Sequence, residues 1–153
     1  MRTFIAGRTV LWGGDLLLRF GPVAVGAHLS TAVPIREELG TLTPSLALAL
    51  VELAFVGIDL GVLDLRIVSR GSMGRAAIEA VANQRGSLAS SVAAPFFEFA
   101  LVLSAALVFG SIAVDIDLGV GYASGLVALA DSRDALSLDG ATASVAVGVE
   151  VLP

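Results

Sequence analysis

Apolar residues alternate with small or polar ones along several stretches of this chain, and a period of two predicts strands. The clearest case is 112–122. Ile112, Val114, Ile116, Leu118, Val120 and Tyr122 fall on one face; Ala113, Asp115, Asp117, Gly119 and Gly121 fall on the other. Residues 22–30 repeat the pattern, with Val23, Val25, Ala27 and Leu29 against Ala24, Gly26, His28 and Ser30, and Pro22 and Pro34 suit the ends of such a strand. Residues 143–151 do so again, with Val145, Val147, Val149 and Val151 against Ala146, Gly148 and Glu150. The 45–56 segment is rich in Leu and Ala, which favour helix, yet its pattern is period two. With 62–69 it predicts two strands joined by a tight turn between 46 and 68.

Elsewhere the composition favours helix. Residues 75–84 are Ala-rich, with Ile78 and Val81 three apart on one helical face. Residues 93–110 are Ala/Leu-rich, with Pro95 suited to a first turn and Gly110 to the stop. A single helical turn fits 35–40, and 126–135 reads as helix or loop. Gly13-Gly14 and Asp139-Gly140 read as turns, and 70–75 as a loop before the 75–84 helix. The expected fold is therefore α+β and strand-rich: short, mostly antiparallel strands, a helix near 75–84 and an apolar helix near 93–110, in a single domain over 1–153.

Composition changes the picture of where the surface goes. Of 153 residues, 56% are hydrophobic and 15% charged, against about 45–50% and about 25% in ordinary soluble domains. The chain is short of polar surface, so part of it is expected to face lipid or copies of itself. The segment 89–114 is long enough to cross a bilayer as a helix, with Glu98 its one charge before Asp115. Arg66, Arg70, Arg75 and Arg85 precede it and Asp115 and Asp117 follow, which would leave its N-terminal side in the cytoplasm. The equal alternative is a buried core helix. No secretory leader is evident, because Arg8 interrupts before an apolar core forms.

The net charge of −5 is concentrated after residue 85, where Arg133 is the only cation. An acidic chain of this kind has no general reason to bind nucleic acid. There is no Cys, which excludes disulfides, thiolate metal sites and cysteine nucleophiles. His28 is the single histidine and has no Ser or acid at a diagnostic spacing, so the sequence supports no hydrolase triad. Asp115 and Asp117 share a face that suits either a hard cation or a solvated sheet edge. The run Gly119, Gly121, Gly125 after a strand would suit a phosphate only if a helix followed. The loop at 69–75 offers an anion site only at a helix N-terminus. No catalytic, cofactor-binding or metal-ligating residue is assigned.

Residues 56–68 carry a family pattern. Val56-Gly57-Ile58-Asp59-Leu60, then Asp64, then Arg66-Ile67-Val68, resemble the central hairpin of the small gas vesicle shell proteins. The resemblance covers residues 35–83 and implies a strand–turn–strand unit between helices at 35–40 and 75–83. It further implies a self-assembling, gas-permeable wall. The family's Asp-Lys-Gly and Trp before the first strand are missing here, and its pattern does not account for 86–153.

The sequence thus leads to a small hydrophobic, non-enzymatic structural protein, membrane-associated or in an intracellular self-assembly. Its partners would be a lipid bilayer or copies of itself. A gas-vesicle-like shell component, an open reading frame product without selected function and a nucleotide-binding enzyme fragment are the alternatives.

Overall fold

The computed structural model describes residues 1–4, 9–36, 40–82, 91–125, 127–130 and 133–151. Among these residues the chain forms strands and no helix. They are β1 (Arg2–Phe4), β2 (Thr9–Phe20), β3 (Val23–Ala32), β4 (Ile35–Arg36), β5 (Gly40–Asp59), β6 (Leu63–Ala82), β7 (Val92–Phe109), β8 (Ile112–Ser124), β9 (Val127–Ala130), β10 (Arg133–Ser137) and β11 (Gly140–Val151). β9 and β10 form a separate two-stranded ribbon.

The main sheet is antiparallel and curls back on itself. Its pairings run β1–β2–β3–β5–β6–β7–β8–β11 and return to β1. A walk across registers from Phe20 passes Val23, Leu53, Ser69, Leu101, Val120, Ala143 and Thr3, and re-enters β2 at Val10. That return is ten residues from its start, a stagger that inclines the strands by about 40° to the barrel axis. One end of the barrel has tight turns, at Gly21-Pro22, 60–62 and Gly110-Ser111. Gly21, Gly61 and Gly110 hold φ of 61°, 82° and 63°, which side chains resist. The connections at the other end are longer.

The closure is uneven. β1 has three residues and pairs with Thr9–Leu11 of β2 and with Thr142–Ser144 of β11. Both flanking strands are antiparallel to β1, so they run parallel to each other. Among the described residues no ladder joins Trp12–Phe20 to Val145–Val151. A seam remains there, with Met1–Val145 backbone hydrogen bonds at its end.

Two expected helices are corrected. The 93–110 segment is strand β7, with Gly110 in the turn that follows. It pairs with β6 on one side and β8 on the other, so backbone hydrogen bonding is met between strands and not within the segment. The 75–84 segment is the continuation of β6 through Ala82, with 83 and 84 outside the described residues. Helix propensity yields in both places to tertiary pairing. The α+β class gives way to an all-strand barrel, and the apolar span expected at 89–114 is, over its described residues, strand β7, the turn after it and the start of β8. The 70–75 loop and the Gly13-Gly14 turn are strand interior as well. Ile35–Arg36 is a short strand, and the rest of the expected helical turn, 37–39, lies outside the described residues. The 56–68 hairpin is present at the β5–β6 turn, but without a helix over 75–82.

Candidate functional site

The alternation of each strand sorts side chains to two sides of a curved wall. On β7 the outward set is Phe97, Phe99, Leu101, Leu103, Ala105, Leu107 and Phe109, and the inward set includes Phe96, Glu98, Val102 and Ser104. β8 sends Ile112 to Tyr122 outward at every second residue and turns Asp115 and Asp117 inward. The inside is layered. Near the long connections it is apolar, with Leu11, Leu46, Ile78, Phe96 and Leu138 packed together. Deeper in, it is ionic.

Arg70 is the centre of the ionic layer, with 3% of its side chain exposed. It sits directly opposite Glu52 in the β5–β6 register, and its Nε donates to Glu52 Oε1 at 2.6 Å. Its Nη2 reaches Glu52 Oε1 at 2.5 Å and Asp117 Oδ2 at 3.4 Å, and Nη1 lies 3.5 Å from Asp15 Oδ2. Arg19 approaches the other oxygen of Glu52 at 3.7 Å. A guanidinium is the cation suited to this, because its planar fork serves several carboxylates and it stays charged. One layer up, Glu98 accepts from Thr142 Oγ1 at 2.9 Å and from Ser72 Oγ at 3.5 Å. Toward the tight turns, Arg66 Nε donates to Asp64 Oδ2 at 2.8 Å. Small residues make room: a Cβ on Gly148 would lie 2.7 Å from the Asp115 carboxylate oxygens.

Asp15, His28 and Ser30 form a relay on β2 and β3. Asp15 Oδ1 bonds His28 Nδ1, and His28 Nε2 lies 2.9 Å from Ser30 Oγ. That is the connectivity of a hydrolytic triad. Ser30, however, is 8% exposed and does not line the interior cavity, whereas Asp15 and His28 do. The relay therefore orients His28 in the wall, and Ser30 borders a separate pocket of about 490 Å³ with Trp12, Thr31 and Arg75.

The cavity has a volume of about 1110 Å³ and runs from the ionic layer to the seam, where β2 from Trp12 and β11 from Ser144 form its lips. No cluster of His, Asp or Glu suited to a metal occurs among the described residues. Asp117 is turned to Arg70, with its Oδ2 3.4 Å from Arg70 Nη2. Gly119 and Gly121 lie within β8, so the phosphate loop has no helix behind it. Arg70, Glu52 and Asp15 were not singled out as site residues by the sequence; Glu52 shares its face of β5 with Leu46, Leu48 and Leu50, so no contrast in side-chain size marks it. Comparison with protein-family models, curated proteins and solved structures gave no match.

Proposed function

We propose that this chain is a membrane-spanning β-barrel, with its outer wall in contact with lipid and its ionic layer held inside. The observation that carries this reading is an inversion of polarity. Val120, Tyr122 and Phe99 are 65%, 63% and 61% exposed, while Glu52 and Arg70 are each 3% exposed. A soluble monomer rarely shows a contiguous apolar patch above a few hundred Å², and here the apolar wall continues across neighbouring strands.

The dimensions agree with a bilayer. The outward run from Ile112 to Tyr122 corresponds to ~33 Å along the strand, or ~25 Å at a tilt of about 40°, which is the height of the apolar band on membrane barrels. Aromatic residues mark its two rims: Phe20, Phe55 and Phe109 toward the tight turns, and Trp12, Phe97, Phe99 and Tyr122 toward the longer connections. No helix of the described residues is long and apolar enough to cross a membrane. A set of strands closed into a barrel is the other backbone arrangement that lipid tolerates, and here the ladders run round from β2 to β11 and meet through β1, leaving the seam already described. In this reading the role is structural: the wall anchors the molecule and holds long connections on one side and tight turns on the other.

Trp12 is the only tryptophan and is 56% exposed on the outer wall. Refolded into vesicles of phosphatidylcholine brominated along the acyl chain, the protein is expected to lose Trp12 fluorescence. Unquenched Trp12 together with recovery as a detergent-free, water-soluble monomer would refute the proposal.

A further inference from the structure

We infer that the pocket between Trp12 and Arg75 on the outer wall seats one anionic phospholipid, with its phosphate on Arg75. This rests on the bilayer reading, and it adds a hollow and a charge that an apolar wall alone does not need. The pocket has a volume of about 490 Å³, in the range of small-molecule sites. It lies across four strands. Ala47 of β5 pairs with Arg75 of β6 and with Leu29 of β3, while Ser45 pairs with Ala77 and Thr31, and Thr31 with Trp12 of β2. The floor is therefore made of small residues, and Arg75 stands on one side with Leu29 and Trp12 on the other. Three strand spacings, about 14 Å, separate Arg75 from Trp12.

The chemistry of the pocket is that of an anion site. No acidic residue lines it. Arg75 is exposed and has no ion pair or hydrogen bond among the described residues. Glu79, the next acid on the same outward face of β6, is four residues on, about 13 Å along the strand. Thr31 Oγ1 is already used, donating to the Pro44 carbonyl at 3.2 Å. The Ser45 hydroxyl has no partner among the described residues. It is a diagonal neighbour of Arg75 across the β5–β6 ladder, within reach of the same phosphate. Guanidinium, hydroxyl and the indole N–H of Trp12 are all donors, and a guanidinium fork matches phosphate oxygens.

Depth selects lipid as the source of that phosphate. Arg75 is the next outward residue on β6 after Met73, which pairs with Phe97 of the aromatic rim. One step beyond such a girdle is the level of lipid headgroups. A zwitterionic headgroup carries its own cation, so an unpaired arginine favours a lipid with net negative charge.

Trp12 is the sole tryptophan and borders the pocket, so it reports the occupant. The full chain is refolded into phosphatidylcholine vesicles that contain a minor fraction of phosphatidylglycerol. In one sample the phosphatidylglycerol chains are brominated; in the other an equal amount of the phosphatidylcholine is brominated, so the headgroup composition is the same. Brominated phosphatidylglycerol is expected to quench Trp12 as if about fivefold enriched beside it, the preference one arginine gives at an anionic surface. Arg75→Gln should bring the two samples to equal quenching. Ala47→Phe, which fills the floor and keeps the charge, should do the same. Arg36→Gln removes an exposed arginine of β4 that lies outside the pocket, and the excess should survive it. Strand circular dichroism checks that each variant has folded. The inference fails if the two brominated lipids quench the parent protein equally, or if Arg75→Gln or Ala47→Phe keeps the excess in a folded barrel. It fails equally if Arg36→Gln removes as much as Arg75→Gln, since diffuse charge would then explain the preference. Vesicles made wholly of brominated phosphatidylcholine that leave Trp12 unquenched would instead overturn the bilayer reading.

Discussion

Glu52 and Arg70 face each other across β5 and β6, eighteen residues apart in sequence, and the Arg70 Nε donates to Glu52 Oε1 at 2.6 Å inside the barrel. Arg70 also neutralises Asp15 and Asp117. Replacing it with Ala leaves three inward carboxylates facing one another. Arg70→Ala is expected to lower stability by about 3–5 kcal/mol, as for other broken buried pairs. The paired change Glu52→Gln with Arg70→Met should cost less than the two single changes summed. Denaturant midpoints in micelles measure both.

Ile116 points outward from the middle of β8 and is 50% exposed. In water, an arginine at such a position would be nearly neutral. In lipid, Ile116→Arg is expected to cost about 2–4 kcal/mol. Folding yield and unfolding midpoints in vesicles decide between the two environments.

Thr142 Oγ1 donates to Glu98 at 2.9 Å in a buried layer. Thr142→Val keeps the shape and removes the donor. A loss of about 1–3 kcal/mol is expected, with Thr142→Ser retaining most of the stability. The same denaturant titration reads both variants.

Gly74 faces inward on β6, where a Cβ would lie 2.2 Å from the Ala47 carbonyl oxygen and 2.8 Å from Leu48 Cα. Both are backbone atoms, so the two strands would have to separate. Gly74→Val is expected to destabilise the barrel by about 1–3 kcal/mol or more. Gly71 has open space around it, and Gly71→Val should be well tolerated. Comparing the two by electrophoretic mobility of unheated samples separates backbone crowding from loss of glycine in general.

Strands were legible where the two faces contrast strongly. Ile112 to Tyr122 alternates with Asp, Gly and Ala, and the structure has β8 there with the faces as read. The contrast fades on β7, because its inward positions use Ala100, Val102 and Ala106 against outward Leu and Phe. Both sets are apolar, so Ala and Leu composition pointed to helix. The same holds for Arg75 to Ala82, where both faces carry Ala. Gly13 looked like a turn, but its Cβ would lie 2.1 Å from the Leu29 carbonyl oxygen, so glycine there permits a close crossing of strands. The ionic layer depends on register between strands far apart in sequence, as for Arg70 with Asp117, 47 residues on, and with Asp15. No local pattern encodes that meeting. A hint in parity exists on β3 and β8, where His28, Asp115 and Asp117 recur among small residues, but not on β5, where Glu52 follows Leu46, Leu48 and Leu50 on one face.

The ladder of β5 and β6 slips once, between Ala54 and Val56, so Phe55 has no partner of its own. Phe55 and Val56, adjacent in the chain, are both exposed on the outer wall. Removing any regularly paired residue of β5 would turn every later side chain inside out, sending Asp59 and its neighbours to the wrong surface. Deleting Phe55 alone would not, since Ala54 and Val56 already meet the consecutive residues Val68 and Ile67. That single aromatic is thus a spare link in the strand, where evolution can shorten the hairpin by one residue without scrambling which side chains face outward.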